Sequence, residues 1–315
     1  MKGLIFLFLA GCCLAGDLDV MFWNVENFFD TEDTRNRRDG DFMPGSVKHY
    51  TYRAYALKTR HLADVINHIA PDILAMAEVE NRGVLRNLKK HLYHRDAWEI
   101  LIEEGPDIRG IDPALMYRGD RLGYLQHRYY PVFIAERGYH SRPLMRADLV
   151  VRESGDTLSV FVAHWPSRRG GKTATEPYRV YAAGILLGAV RDLRRAHPSY
   201  TVLIAGDFNA GLRDSSLSLI ASEPGIDHIR TTLPAKVHGT YYYNGEWSHF
   251  DHVFLSLPAD AGFGVRRAAV RAPSWIREKG THAPLRFYKG IACSGGYSDH
   301  YPLSLKLRLK RKSVE

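Results

Sequence analysis

Cysteine is scarce here, with three residues in 315. Two of them, Cys12 and Cys13, sit in the leading segment, which leaves Cys293 without a partner in the rest of the chain. That excludes a disulfide framework as what holds the fold together. Long apolar runs are also lacking: Leu4 to Ala10 is far shorter than the roughly 20 residues that span a bilayer as a helix. No repeat, low-complexity tract or Pro/Gly-rich linker divides the sequence, so one domain is the simplest account. Acidic residues are outnumbered, 35 against 43 Lys and Arg, which gives a formal charge of +8 and excludes an acidic, solvating chain. A surface of that sign attracts phosphate-bearing partners or anionic membranes.

What is present is ordinary for a globular protein, 45% hydrophobic and 25% charged. Residues 1–16 stand apart. Lys2 precedes the apolar run and small residues follow it, as in a secretory signal. Leu9-Ala10-Gly11-Cys12 matches the bacterial lipobox, which implies cleavage before Cys12 and lipid on its thiol; ordinary cleavage after Ala15 or Gly16 is the alternative. Both readings place residues 17–315 outside the cytoplasm, as a periplasmic, outer-membrane or secreted protein. Membrane contact is expected only through the lipid anchor, and a monomer is expected.

Short apolar runs read as buried strands at Val20–Trp23, Ile73–Ala77, Ala114–Tyr117, Leu158–Ala163, Val202–Ala205, Val253–Leu255 and Leu303–Leu309. Helical spacing appears in Leu62, Val65, Ile66 and Ile69 before Pro71, in Val84, Leu85 and Leu88, and from Tyr181 to Leu193. Thr31–Ser46 and Ser167–Pro177 read as polar loops. This is an α/β pattern, and periodicity leaves open whether the strands make one sheet or two.

Polar residues fall at the strand ends. Asn24 follows the first strand, Glu78 the second, His164 the run at Leu158, and Asp207 with Asn209 the run at Val202. Asp251 opens the strand at Val253, and Asp299-His300 precede the last one. Groups carried at the ends of rigid strands are where substrate and water reach them. Singly, each has a plain explanation as a turn or cap residue. Their conjunction is what points to a site.

The segments W-N-V-E-N (Trp23–Asn27), A-E-V-E-N (Ala77–Asn81), A-H-W-P-S-R (Ala163–Arg168), G-D-F-N (Gly206–Asn209), F-D-H-V (Phe250–Val253) and S-D-H-Y-P (Ser298–Pro302) occur in the order found in the endonuclease/exonuclease/phosphatase superfamily, which this sequence resembles from Asp19 to about Leu309. R-G-I-D-P-A-L (Arg109–Leu115) and W-P-S-R-R-G-G (Trp165–Gly171) are similar to an exported bacterial subgroup. The resemblance implies a four-layer α/β sandwich, two mixed sheets face to face with helices outside. It also implies Mg²⁺ held chiefly by Glu78 with Asn24 and Asp299 or Asp207, Mn²⁺ or Ca²⁺ being the other ions considered. His300 oriented by Asp251 would activate water or stabilise the developing phosphorane charge, with Asp207 the competing base. Asn209 would bond a phosphate oxygen. His164 would protonate the leaving oxygen or merely order its loop. Arg109 with Asp112 would either fork onto phosphate or hold the loop.

The expected activity is metal-dependent hydrolysis of phosphodiesters in DNA or RNA. The alternative is a phosphatase or phosphodiesterase of small or lipid phosphates, such as inositol phosphates or sphingomyelin. Basic groups at Arg35, Arg37 and Arg38, at Arg168, Arg169 and Lys172, and at Arg191, Arg194 and Arg195 would track a polyanion if one face gathered them. Lys310-Arg311-Lys312 reads as a tail. Tyr241–Tyr243 and Trp247 alternate as in a strand, which favours core packing over base stacking.

Overall fold

The computed structural model describes residues 16–34 and 37–310. The signal and lipobox readings, Arg35 and most of the basic tail therefore lie outside the described residues.

Sixteen strands are present among the described residues. In chain order they are β1 (Asp17–Phe28), β2 (Ile73–Val79), β3 (Trp98–Leu101), β4 (Asp112–Arg118), β5 (Leu122–Ile134), β6 (Tyr139–Val151), β7 (Thr157–His164) and β8 (Thr201–Asp207). They continue as β9 (Asp227–His228), β10 (Tyr241–Tyr243), β11 (Glu246–Ser248), β12 (Asp251–Ser256), β13 (Phe263–Val270), β14 (Tyr288–Lys289), β15 (Ala292–Cys293) and β16 (Leu303–Leu309). Two six-stranded sheets result, ordered β13-β16-β1-β2-β4-β3 and β5-β6-β7-β8-β12-β9. Both are mixed. β1–β2 and β7–β8 are the parallel pairs, each bridged by a crossover helix, α1 (Tyr52–Ile69) and α3 (Lys172–Ala196). Helices α2 (Arg82–Lys89) and α4 (Ser215–Ala221) complete the outer layers. The architecture is the expected four-layer sandwich.

Alternation along each strand explains the layering. Leu158, Val160 and Val162 enter the core between the sheets together with Val20, Phe22, Leu74 and Leu305, while Phe161 and Ala163 turn outward to Leu186, Val190 and Leu193 of α3. Because both faces are covered, β2 and the centres of β1 and β7 are largely apolar, with Ser159 an exception, which is why they were legible as runs. Helix α1 begins at Thr51, whose hydroxyl accepts the Ala54 N–H, and ends at Ala70 in a left-handed conformation before Pro71. Among the described residues, no helix is long and apolar enough to cross a membrane.

Two expectations need correction. The loop expected to end at Pro177 stops at Gly171, and α3 runs through the proline. Arg179, fully buried, ties down the first turns of α3 by donating to the Lys172 and Pro166 carbonyls and the Thr175 hydroxyl. Strands β5, β6 and β13 were not anticipated. β5 is an edge strand whose residues are mostly half-exposed or exposed, so no apolar run marks it.

Candidate active site

Register brings the polar strand ends together. His164 on β7 lies opposite Asp207 on β8, and Asp207 lies opposite Asp251 on β12. A bridge from Tyr241 to His300 ties the last motif to β10. At the end of the other sheet, Ser298 Oγ donates to the Asn24 carbonyl (2.7 Å) and accepts the His300 N–H (3.1 Å), which joins β1 to the segment before β16.

Asp207 is the hub. Its Oδ2 accepts from Asn24 Nδ2 (3.0 Å) and lies 3.7 Å from Nε2 of both His164 and His300, while its Oδ1 accepts the Asn209 N–H (2.9 Å). His300 Nδ1 is 2.8 Å from Asp251 Oδ2. Asp251 in turn is framed by the Thr240 hydroxyl, which accepts the Phe250 and Asp251 N–H groups. His164 Nε2 is also 3.7 Å from Glu78 Oε1, and Glu78 Oε2 accepts the Asn27 N–H (2.8 Å). Glu26, Asn27, Glu78 and Asn209 all hold left-handed backbone conformations with φ near 50–70°. Such strain, about 1–3 kcal/mol per residue, persists where surrounding structure enforces a functional geometry.

Electrostatics separate the two histidines. Burial disfavours the charged form of His300, but Asp251 and Asp207 outweigh it and push the pKa up to about 10, so the ring is an imidazolium at neutral pH. Burial drives His164 well below the usual imidazole range, with Arg142 and Arg109 adding repulsion, so that ring is neutral. Its Nδ1 is buried without a hydrogen-bond partner, which leaves Nε2, facing two carboxylates, as the protonated nitrogen. Burial raises Asp207 to about 7 against the opposing pull of His300.

A model of the Endonuclease/Exonuclease/phosphatase family matches residues 19–309. The chain belongs to that family. Comparison with curated proteins returns no match. Among solved structures, D. rerio TDP2 complexed with single-strand DNA product is 17% identical with a TM-score of 0.61, over 93% of this chain and 99% of that one. The human Nocturnin catalytic domain with bound sulfate is 15% identical, TM-score 0.63, over 95% of each chain. A mannosyl-6-phosphatase from Bacteroides thetaiotaomicron is 17% identical, TM-score 0.63, over 92% of this chain and 99% of that one. These likenesses describe the fold; family membership makes the chain a phosphoester hydrolase of a family that uses divalent metals.

The residues present fit such an ion. Asn24, Glu78, Asp207 and Asp299 line one cleft of about 650 Å³ and offer only oxygen donors, the set a hard cation such as Mg²⁺ prefers. Asp207, Asp251 and His300 also place one ligand atom each within 4.8 Å of one another. In that second group, however, His300 Nδ1 is committed to Asp251 and the ring is cationic, so the oxygen set is the better host.

Of the remaining expectations, Arg109 does line the cleft, but its partner is Asp107 (3.1 Å) and not Asp112, which accepts the Gly105 N–H (2.7 Å). Arg168 lines it too, donating to the Asn209 carbonyl (2.7 Å) and Asp214 (2.6 Å) and lying 4.5 Å over the Phe250 ring. It therefore clamps the G-D-F-N turn. Asn209 Nδ2 donates to the Trp165 carbonyl (3.1 Å), the turn's second tie. The basic residues do not all gather on one face: Arg191, Arg194 and Arg195 line a separate hollow with Tyr200 and Pro258.

Sequence reasoning missed Arg286, 3.4 Å from Asp299, and buried Arg142, 3.5 Å from Asp107. It also misjudged the aromatic hairpin. Tyr241 pairs with Ser248 and Tyr243 with Glu246, and all four line the cleft, whereas Trp247 packs on Tyr242 and Tyr301. The period of two was read correctly; what lay on each face was not.

Proposed function

We propose that this chain is an extracytoplasmic, Mg²⁺-dependent nuclease that hydrolyses phosphodiester bonds in DNA or RNA. The observation that carries the reading is the cleft face of the β10–β11 hairpin. Tyr241 and Tyr243 stack 6.4 Å apart with planes 20° from parallel, Phe250 stacks on Tyr241 at 5.4 Å, and Tyr241 lies 4.7 Å from the His300 ring. A flat aromatic wall beside a phosphate-handling site suits a nucleotide, since base–aromatic stacking contributes about 1–3 kcal/mol per base. The net charge of +8 favours a polyanion, and a fold neighbour, TDP2, was captured with single-strand DNA product.

In this reading Glu78, Asn24 and Asp299 would hold the ion, which would neutralise charge on the phosphoryl oxygens, leaving Asp207 free to act as the base. Water attacks phosphorus as the bond to the leaving oxygen breaks. Asp207, its basicity raised by burial, takes the water's proton. The His300 imidazolium donates from Nε2 to a non-bridging oxygen as negative charge grows there. Neutral His164 donates a hydrogen bond from Nε2 and does not supply the leaving-group proton, which then comes from solvent. Export rests on residues 1–16 as read above.

The test is cleavage of supercoiled plasmid and of single-stranded RNA in Mg²⁺, with EDTA and His300→Ala controls and with mannose 6-phosphate and inositol phosphates as competing substrates. Nucleic acid cut only without EDTA and only with His300 present supports the proposal. Intact nucleic acid beside turnover of phosphomonoesters sinks it in favour of a phosphatase.

A further inference from the structure

The catalytic cleft has a neighbour. A second hollow, about 600 Å³, shares Glu78, Arg109, Ser167 and Arg169 with it, so the two meet at the principal candidate metal ligand. Six cations line this hollow against three acids, Asp41, Glu78 and Asp107. Arg109 and Arg142 both lie against Asp107, at 3.1 and 3.5 Å. The other four, Arg38, Lys48, Arg137 and Arg169, enter no ion pair among the described residues.

Two of those four are held in place by aromatic rings. Lys48 Nζ sits 4.0 Å from the centre of the Phe42 ring and 5.6 Å from that of Tyr288, and burial lowers its pKa. Arg137 donates from Nε to the Tyr178 hydroxyl (2.7 Å), its guanidinium 5.2 Å over that ring. Lys48 is half-buried and Arg137 exposed; Asp41, Glu26 and Glu78 act on Lys48 at longer range, but among the described residues no carboxylate pairs directly with either cation, so an arriving anion meets side chains already held in place, at little ordering cost.

The geometry points to a second phosphate subsite: this hollow binds a phosphate group that the substrate carries next to the scissile phosphodiester. The inference rests on the proposed nuclease reading and narrows it to chains with phosphate on the far side of the cut. The aromatic hairpin takes a ring in one cleft, the cations of Lys48 and Arg137 take the neighbouring phosphate in the other, and Glu78 marks the boundary.

The experiment compares kcat/KM for thymidine dinucleotides with no terminal phosphate, a 5′-phosphate or a 3′-phosphate, in the full chain and in Lys48→Gln/Arg137→Gln. One phosphorylated form should be cleaved at least about tenfold more efficiently by the wild type, and that advantage should collapse in the double variant; the difference isolates the coupling. Lys48→Arg/Arg137→Lys, which keeps the charge, should restore it. An advantage that survives in the double variant, or that neither phosphate confers, overturns the subsite. Should no dinucleotide be cleaved at all, the nuclease reading fails separately, and calorimetric binding of inorganic pyrophosphate in EDTA still decides the subsite. Binding about tenfold weaker in the double variant upholds it, and equal binding overturns it.

Discussion

His300 Nδ1 lies 2.8 Å from Asp251 Oδ2, both groups buried, and this contact sets the charge at the centre of the cleft. Asp251 is the largest influence raising the His300 pKa, which reaches about 10. The active imidazolium is therefore present below that value and lost as pH rises through it. Replacing Asp251 with Asn removes the supporting charge, so the alkaline limb of the kcat/KM profile should move down toward neutrality. An alkaline limb that stays in place would show that the activity does not depend on an Asp251-supported imidazolium.

Glu78→Gln should weaken binding of Mg²⁺ or Mn²⁺ by about tenfold or more, because a neutral amide replaces the main carboxylate of the oxygen set. Calorimetry on the folded variant measures this directly, and unchanged affinity would remove Glu78 from the metal site. The fold should survive, since the Glu78 side chain remains 15% exposed.

Tyr243→Ala should lower kcat/KM on single-stranded oligonucleotides by about 5- to 150-fold, the equivalent of roughly 1–3 kcal/mol of stacking. The melting temperature should barely change, because Tyr243 is 54% exposed. Equal turnover of oligonucleotides by the variant would deny the hairpin a role in substrate binding.

Glu80 gives a stability prediction. Burial raises its pKa from 4.5 to about 8. The folded state thus favours the protonated acid: the associated stability is fully present below about pH 4.5 and lost as pH rises through about 8. Glu80→Gln mimics the protonated form, so the fall in melting temperature between pH 5 and pH 8.5 should be smaller in the variant. A fall of the same size in both proteins contradicts the assignment.

Gly206→Ala should destabilise the protein by about 1–3 kcal/mol, an overpacking cost, as read by chemical denaturation. A Cβ at Gly206 would run into the carbonyl oxygen and Cβ of Ala163 on the paired strand β7. Full stability in this variant would mean that the β7–β8 approach is looser than the register indicates.

By itself the sequence determined the strands covered on both faces and the identity of most groups at their ends. A strand stretch such as Val160–Ala163 is apolar on both faces, and Asn24, Glu78, His164 and Asp207 each end or follow such a run while His300 precedes one. Such signals are local and survive in one dimension. Tertiary structure alone decided the partners: Asp107 for Arg109, Arg286 for Asp299, and a cleft beside Tyr241 and Tyr243 where core was expected. It also decided that His164 is neutral and His300 charged, since both are buried imidazoles and differ only in the carboxylates and guanidinium groups around them. The physical reason is range. Hydrophobic periodicity is written over a few residues, whereas the His300–Asp251 contact closes 49 residues of chain and the Asn24–Asp207 contact 183, and only the packing of two sheets brings such positions within hydrogen-bond distance.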